Sequence, residues 1–261
     1  MSGTILSAVD ASIATLTFHN PERHNSLSLQ MWKDAATALE RFAEDESVRV
    51  VVLTGSGVKS FASGADISEF DQVRADAQGA AVYDASLDRF WTALSGHPKP
   101  TIAMIRGFCI GGGLNIAACC DVRVCGAGSR FAVPAAKLGL GYGVATLRRL
   151  VALVGPQFAL EILLTARQFN SSEASAMGLV NRVVPDADLE SYVHDMVSGI
   201  ARNAPLTMRA AKRIIHELLK DVESQDLSVG QALVTQCFDS ADYREGRQAF
   251  LEKRPPVFRG R

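Results

Sequence analysis

GFCIGGGLNIAACCD, residues 107–121, is the stretch of sequence that decides the fold. An apolar, β-branched run at residues 101–105 precedes it, as expected of a buried strand, and a helical pattern begins after Gly113. Consecutive glycines let the backbone adopt positive φ and approach a ligand closely, and a helix start exposes N–H groups that can hold a developing negative charge. The stretch therefore predicts either an oxyanion site or merely a tight turn.

The composition limits the classes of function. The chain has 261 residues, of which 48% are hydrophobic, so it can bury a large core as one large domain or one domain with a small appendage. A formal net charge of −1 gives no overall field that would recruit nucleic acid or an anionic membrane. Small ligands or protein partners are therefore favoured.

The cysteines and the N-terminus indicate the compartment. Five cysteines, at positions 109, 119, 120, 125 and 237, show neither the paired spacing of a zinc site nor a need for disulfides. We interpret them as reduced thiols, mostly in the core, with no basic environment that would favour a thiolate. The N-terminus lacks the cationic region of a signal peptide, and no apolar run approaches the ~20 residues of a membrane helix. The sequence therefore predicts a cytoplasmic protein.

A second glycine loop lies in the first half of the chain. A helix with an apolar stripe follows Ser28, a common N-cap residue, and residues 48–54 have the pattern of a buried strand. FASGADISEF, residues 61–70, then repeats on a smaller scale the order of short strand, Gly64 turn and helix start. The two glycine loops could therefore face each other.

The chain beyond residue 130 leads through a glycine loop to a region predicted to be wholly helical from Leu189. Glycines at 139, 141 and 143 form a flexible loop, without the strand context and downstream acid of a dinucleotide fingerprint. A helix predicted from Pro205 to about Leu219 carries an apolar stripe broader than one neighbour requires, which suggests an oligomer contact. We divide the chain into an α/β part, residues 1–185, and a helical part, residues 186–261.

Several long motifs in the right order make this chain resemble the crotonase superfamily, the enoyl-CoA hydratase/isomerase proteins. The resemblance implies an α/β fold, a crotonase-type spiral of ββα units that holds an acyl-CoA site, followed by a helical C-terminal region for trimerisation and CoA contact. It also implies a role in fatty acid metabolism, with coenzyme A as part of the substrate and no separate cofactor. The motifs are FASGADISEF, GFCIGGGLNIAACCDVRV, RFAVPAAKLGL, ARQFNSSEASAMGLVNRVVP and DYREGRQAFLEKRPPVF.

The resemblance implies that two backbone N–H groups polarise a thioester carbonyl and stabilise an enolate. Carried over by motif, these donors belong to Ala65, which follows Gly64, and to Gly112, the middle glycine of the triplet. Preorganised donors of this kind contribute roughly 3 to 4 kcal/mol each where charge develops. Because they are backbone groups, they leave the side chains free to vary the reaction.

Both glutamates that hydratases of this family use on a water molecule are replaced at the matching positions. The first position, two residues after the triplet, holds Asn115, and the second, after Pro134, holds Ala135. A positioned general acid or base contributes about 10²- to 10⁴-fold, so ordinary two-glutamate hydration is disfavoured.

Tyr142, on the glycine loop, is a candidate replacement, because its phenol could donate a proton or orient a leaving carboxylate. The methylmalonyl-CoA decarboxylase branch resembles this segment and has a tyrosine at the matching place, although it has a histidine where this chain has Ala65. Decarboxylation would suit such a site, since loss of CO₂ forms the enolate without a base. Tyr142 could equally be a pocket wall whose hydroxyl meets a backbone group.

Several polar residues near the loops have both structural and functional interpretations. Asn115 is favoured as a site-lining residue over a helix cap, whereas Asp66 is favoured as a cap at a helix start. Glu69 is an outside candidate for a base and is expected to be solvated. Asp121 is expected to form a turn.

The resemblance places the segment around His24 near the nucleotide end of CoA, where Arg23 could meet a phosphate, although such a histidine is commonly a turn residue. In family members the C-terminal segment can reach the CoA of a neighbouring subunit; otherwise it is a solvated basic tail. The positions predicted to bind substrate or CoA are Arg23, His24, Ala62, Gly64, Asp66, Ile67, Gly111, Ala135, Phe250 and Lys253.

The sequence therefore predicts a crotonase-type lyase, in which decarboxylation of a malonyl-type acyl-CoA is favoured over hydration. The alternatives are a catalytically silent acyl-CoA-binding protein and enoyl-CoA hydration by an atypical mechanism. RNA binding would rest on the basic tail alone, so no nucleic acid, membrane or metal partner is predicted. The expected assembly is a homotrimer or a dimer of trimers.

Overall fold

The computed structural model describes residues 3–73 and 75–261, in which strands and helices alternate much as the sequence predicts. The strands are β1 (Thr4–Asp10), β2 (Ile13–His19), β3 (Val50–Gly55), β4 (Ser60–Ala62), β5 (Thr101–Ile105), β6 (Phe108–Ile110), β7 (Val122–Gly126), β8 (Arg130–Ala132), β9 (Phe169–Asn170) and β10 (Arg182–Val184). The helices are α1 (Leu29–Glu44), α2 (Phe70–Val73), α3 (Ala77–Ser95), α4 (Gly112–Cys119), α5 (Ala135–Leu138), α6 (Val144–Thr165), α7 (Ser171–Ala176), α8 (Leu189–Ala201), α9 (Pro205–Leu218), α10 (Leu227–Asp239) and α11 (Ala241–Glu252).

The larger sheet has the strand order β1-β2-β3-β5-β7-β10 within the described residues. The β1–β2 pair is antiparallel, and the other neighbouring strands are parallel. Val52 is central in this sheet, with Thr15 of β2 and Ile102 of β5 on either side. Parallel strands of this kind are covered on both faces, which explains the nearly continuous apolar runs of β3 and β5.

Helices cover the two faces of the larger sheet. Trp32, Leu39 and Phe42 of α1 are fully buried in the main core, and Ser28 caps this helix by accepting a hydrogen bond from the Met31 N–H at 3.2 Å. On the other face, α8 buries its apolar stripe against β3, β5 and β7. The helix that begins at Leu189 therefore covers the second face of the larger sheet. The domain boundary at residues 185/186 stays a prediction.

The smaller sheet, β4-β6-β8-β9, carries both glycine loops. Its strands β4 and β6 are parallel, with Ser60 opposite Phe108 and Ala62 opposite Cys109. Parallel neighbours end at the same edge of a sheet, so the loops that follow them lie side by side. The expectation that the two loops face each other is confirmed.

Glycine is required on both sides of β6, where the backbone passes close to the backbone of another segment. A methyl group on Gly113 would lie 2.0 Å from the carbonyl oxygen of Ala62. A methyl group on Gly107, which has a φ of +65°, would lie 2.0 Å from the carbonyl oxygen of Lys59. In contrast, nothing lies within 4 Å of a methyl group placed on Gly141.

The helices α9, α10 and α11 form the C-terminal region and enclose an apolar groove of about 810 Å³. Leu206 and Ala210, on the predicted apolar stripe of α9, are buried, whereas Ile215, Leu218 and Leu219 are exposed. The stripe therefore continues past its neighbours within the chain, and the oligomer contact stays a prediction. No helix among the described residues is both long and apolar enough to cross a membrane.

We predict that Gly107→Ala lowers the free energy of unfolding by about 2–4 kcal/mol, through left-handed backbone strain and overpacking against Lys59. Urea denaturation followed by circular dichroism measures this change. Gly141→Ala is the matched control and changes the same free energy by less than about 1 kcal/mol, because its site is open. Equal effects of the two substitutions would contradict this account of the loop crossing.

Candidate active site

The backbones of the two glycine loops approach each other at Gly64 and Gly112. A methyl group on Gly64, which has a φ of +92°, would lie 2.8 Å from the backbone nitrogen of Gly112. A methyl group on Gly112 would lie 3.0 Å from the Gly64 Cα and 3.6 Å from the Ala65 nitrogen. The two predicted donor residues are therefore adjacent, and glycine at these positions permits their approach.

The N–H of Ala65 is left available by the way its loop is held. Leu27 forms an isolated parallel bridge with Ala65, in which the Leu27 N–H donates to the Gly64 carbonyl at 2.8 Å and the Asp66 N–H donates to the Leu27 carbonyl at 2.9 Å. In such a bridge the N–H of the middle residue points away from the partner strand. The Ala65 N–H therefore faces the opposite side, where the triplet lies.

The N–H of Gly112 is available because Gly112 is the first residue of α4, and the first N–H groups of a helix have no partner in the preceding turn. Gly111 fixes the triplet to β8 by donating its N–H to the Ala132 carbonyl at 2.8 Å. Within residues 3–73 and 75–261, no hydrogen bond uses the N–H of Ala65 or Gly112. Two free donors beside a helix N-terminus can stabilise an oxyanion.

Charged side chains anchor the Ala65 loop. Arg23 donates to the Asp66 carboxylate at 2.7 Å, and Asp66 also accepts the Ser68 N–H at 3.1 Å, which confirms its predicted capping role. Burial opposes ionisation of Asp66, but the hydrogen bonds from Ser68 and Arg23 outweigh it, so its pKa lies below the usual value.

The expectation that Glu69 is solvated is wrong. Its half-buried carboxylate accepts the N–H of Leu29, the first residue of α1, at 3.1 Å. The first N–H groups of a helix need an acceptor, and a carboxylate is favoured there by the helix dipole. Glu69 therefore ties the loop after Ala65 to the start of α1.

The Asn115 side chain lies close enough to the Tyr142 hydroxyl to influence its ionisation. A methyl group on Gly111 would lie 4.0 Å from this hydroxyl, which places the pair beside the glycine triplet. Burial raises the pKa of Tyr142 above its usual value, although the Asn115 side chain opposes the shift. Tyr142 is therefore a neutral phenol near pH 7, able to donate a proton.

The remaining predicted positions near the loops differ in burial and contacts, and their binding roles stay predictions. Ala135 is buried in the main core at the first turn of α5, so a methyl group occupies that position. His24 is an exposed turn residue with a φ of 53°, and its Nδ1 lies 2.9 Å from the Ser60 hydroxyl. Ala62 is buried against Gly113, and Ile67 is exposed.

Phe250 and Lys253, the predicted C-terminal CoA contacts, lie at the end of α11. The Phe250 side chain is exposed and lines the apolar groove of α9–α11, and Lys253 ends the helix with a φ of 55°. Their contact with CoA stays a prediction.

The environment of the cysteines differs from the prediction at one position. The Arg149 guanidinium donates to the Cys119 Sγ, so a basic group does contact a thiol. Burial nevertheless raises the pKa of Cys119 to about 11, and the thiol remains protonated.

Asp121 has the predicted turn role and accepts the Thr101 N–H at 2.7 Å. Among the described residues, no cluster of three or more His, Cys, Asp or Glu side chains could hold a metal ion.

Comparison with known proteins finds one family along nearly the whole chain. The enoyl-CoA hydratase/isomerase family model matches residues 8–261. A probable enoyl-CoA hydratase of Mycobacterium tuberculosis is 32% identical over 255 residues, which cover 98% of this chain and 97% of the relative. The crotonyl-CoA hydratase of Syntrophomonas wolfei is 34% identical over 257 residues, covering 97% of each chain.

The fold also matches that of a solved structure. The crystal structure of an enoyl-CoA hydratase/carnithine racemase from Magnetospirillum magneticum is 39% identical, covers 100% of this chain and 97% of its own, and superposes with a TM-score of 0.92. With the glycine loops, the two free N–H groups and the strand order described above, this chain has the crotonase fold and belongs to the enoyl-CoA hydratase/isomerase family.

Proposed function

We propose that this enzyme acts on an acyl-CoA thioester whose carbonyl oxygen is bound by the N–H groups of Ala65 and Gly112. The support is the adjacency of these donors at the N-terminus of α4 and the family to which the chain belongs. In this proposal coenzyme A is part of the substrate and no separate cofactor takes part. A charge that develops on the thioester oxygen would meet two donors already in place, so little reorganisation is needed.

We further propose that the reaction is a lyase step, the decarboxylation of a malonyl-type acyl-CoA. The observation that carries this proposal is the Tyr142–Asn115 pair beside the triplet, with no carboxylate at position 115 or 135. Hydration needs a base that removes a proton from water, and neither an amide nor a methyl group can do so. Decarboxylation needs only an oxyanion site and a proton donor.

The proposed step balances with the groups present. The bond between the substrate α-carbon and its carboxylate carbon breaks, CO₂ leaves, and the electron pair moves onto the thioester oxygen as an enolate. The N–H groups of Ala65 and Gly112 stabilise this enolate. The Tyr142 hydroxyl gives its proton to the α-carbon, and the phenolate, beside Asn115, regains a proton from water.

We also propose that the chain works as a homotrimer or dimer of trimers through its C-terminal helices. Exposed apolar side chains on α9 and α11, including Leu218, Phe250 and Leu251, support this assembly. Solvent exposure of several large apolar side chains is unfavourable in a monomer. A neighbouring subunit at this surface would also bring Phe250 and Lys253 within reach of a bound CoA.

We predict that the purified enzyme decarboxylates a malonyl-type acyl-CoA faster than it hydrates an α,β-unsaturated acyl-CoA. The physical reason is the absence of a base at positions 115 and 135. Chromatography of the CoA products measures both rates under one set of conditions. Faster hydration without decarboxylation would contradict the proposed reaction, and binding of both thioesters without turnover would indicate a silent acyl-CoA-binding protein.

We predict that Tyr142→Phe lowers kcat for decarboxylation by about 10²- to 10⁴-fold and leaves KM nearly unchanged, because the ring remains and only the proton donor is lost. Steady-state kinetics measures the two parameters. Tyr192→Phe is the matched control, since Tyr192 packs on the far face of the larger sheet, and its kcat stays at the wild-type value. An unchanged kcat in Tyr142→Phe would exclude Tyr142 as the proton donor.

A further inference from the structure

A second cavity, of about 640 Å³, lies at the C-terminal end of α4, the end opposite Gly112. Helices α4, α6 and α9 supply most of its wall, and much of that wall is apolar. Four Arg and Lys side chains also face it: Arg123 of β7, Arg148 and Arg149 of α6, and Lys212 of α9. The cavity therefore combines an apolar surface with a cationic one.

Three of these four cations already have oxygen acceptors. The buried Arg123 guanidinium donates to the carbonyls of Leu179 and Cys120. Lys212 Nζ lies 2.7 Å from the Asp121 carboxylate, and Arg148 Nη1 lies 3.1 Å from the Asp221 carboxylate. Arg149 differs, because its contact is the Cys119 Sγ, and in the described part of the chain no carboxylate lies within ion-pair distance of it. A protonated thiol is a weak acceptor, so the charge of Arg149 is uncompensated.

A guanidinium that contacts only a thiol, in a mostly apolar cavity, suits a particular ligand chemistry. A guanidinium presents a planar fork that binds a carboxylate through two parallel hydrogen bonds. A single negative charge would balance Arg149, and a hydrocarbon chain would cover the apolar wall. A cation would be repelled.

We propose that this cavity binds an organic carboxylate with an apolar chain, and that Arg149 binds its carboxylate group. Binding to Arg149 does not depend on the reaction proposed above. The carboxylate could come from a free acid or from the far end of an acyl group whose thioester lies at Gly112.

The length of α4 bears on the second source. Asn115 and Cys119 are four residues apart and therefore share one face of α4. Ala145 and Arg149 are also four residues apart and share one face of α6. The helix rise from Gly112 to Cys119 is about 10 Å, close to the length of an extended eight-carbon diacid. An acyl group of that length would therefore match the separation between the two ends of α4.

The test measures binding of octanoate to the full-length protein by isothermal titration calorimetry, with octanamide as the neutral analogue. Octanoate is expected to bind more tightly than octanamide, and Arg149→Met is expected to weaken octanoate binding by about tenfold or more, since the guanidinium supplies both hydrogen bonds. Arg148→Met, the control at an adjacent arginine paired with Asp221, is expected to change the affinity by less than about twofold.

Arg149→Lys controls for folding, because it keeps the charge and loses the fork; it is expected to bind octanoate with intermediate affinity. Equal binding of octanoate and octanamide, or an Arg149→Met protein that is folded by circular dichroism and binds octanoate as well as the wild type, would overturn the proposal. An equal loss in Arg148→Met and Arg149→Met would also overturn it.

Two CoA thioesters distinguish a free acid from an acyl group as the source of the carboxylate. If the carboxylate belongs to an acyl group, suberyl-CoA binds more tightly than octanoyl-CoA, Arg149→Met removes the difference, and octanoate competes with suberyl-CoA. If it belongs to a free acid, octanoate binds without displacing either thioester. The octanoate measurements involve no CoA, so failure of the proposed thioester chemistry leaves them interpretable.

Discussion

The close approach of two backbones, at Gly64 and Gly112, is the constraint on which the rest of the structure depends. It requires that two parallel strands of the smaller sheet end together and that each be followed by glycine, because a single methyl group would come within 2.8 Å of the Gly112 nitrogen. The larger sheet and its helices hold these strands in place. The Ala65 and Gly112 N–H groups are thereby left without partners in the described chain and can bind an anionic oxygen.

Backbone donors and side chains have separate roles: the donors bind the oxyanion, and the side chains determine the reaction. The donors depend on strand pairing, the Leu27 bridge and the glycines, so substitution of neighbouring side chains leaves them in place. The reaction then depends on which side chains surround the bound thioester. In the proposed function these are an amide and a neutral phenol, Asn115 and Tyr142, which would favour protonation of an enolate over activation of water.

The sequence was sufficient to predict the glycine loops, the Ser28 cap and the helical C-terminal region, because each depends on local residue preferences. Contacts between residues distant in sequence carried no local signal. The bond from Leu29 to Glu69 and the contact of Arg149 with Cys119 span 40 and 30 residues, and both were missed. The covering of the larger sheet by α8 was missed for the same reason, since an apolar stripe does not identify the surface it packs on.

The measurement that tests the central claim most directly is a crystal structure of the enzyme with a nonreactive malonyl-type thioester of CoA. The account predicts that the thioester oxygen lies about 3 Å from the nitrogens of both Ala65 and Gly112, with the Tyr142 hydroxyl facing the α-carbon. A thioester oxygen bound elsewhere, or an α-carbon that faces a carboxylate instead of Tyr142, would contradict it.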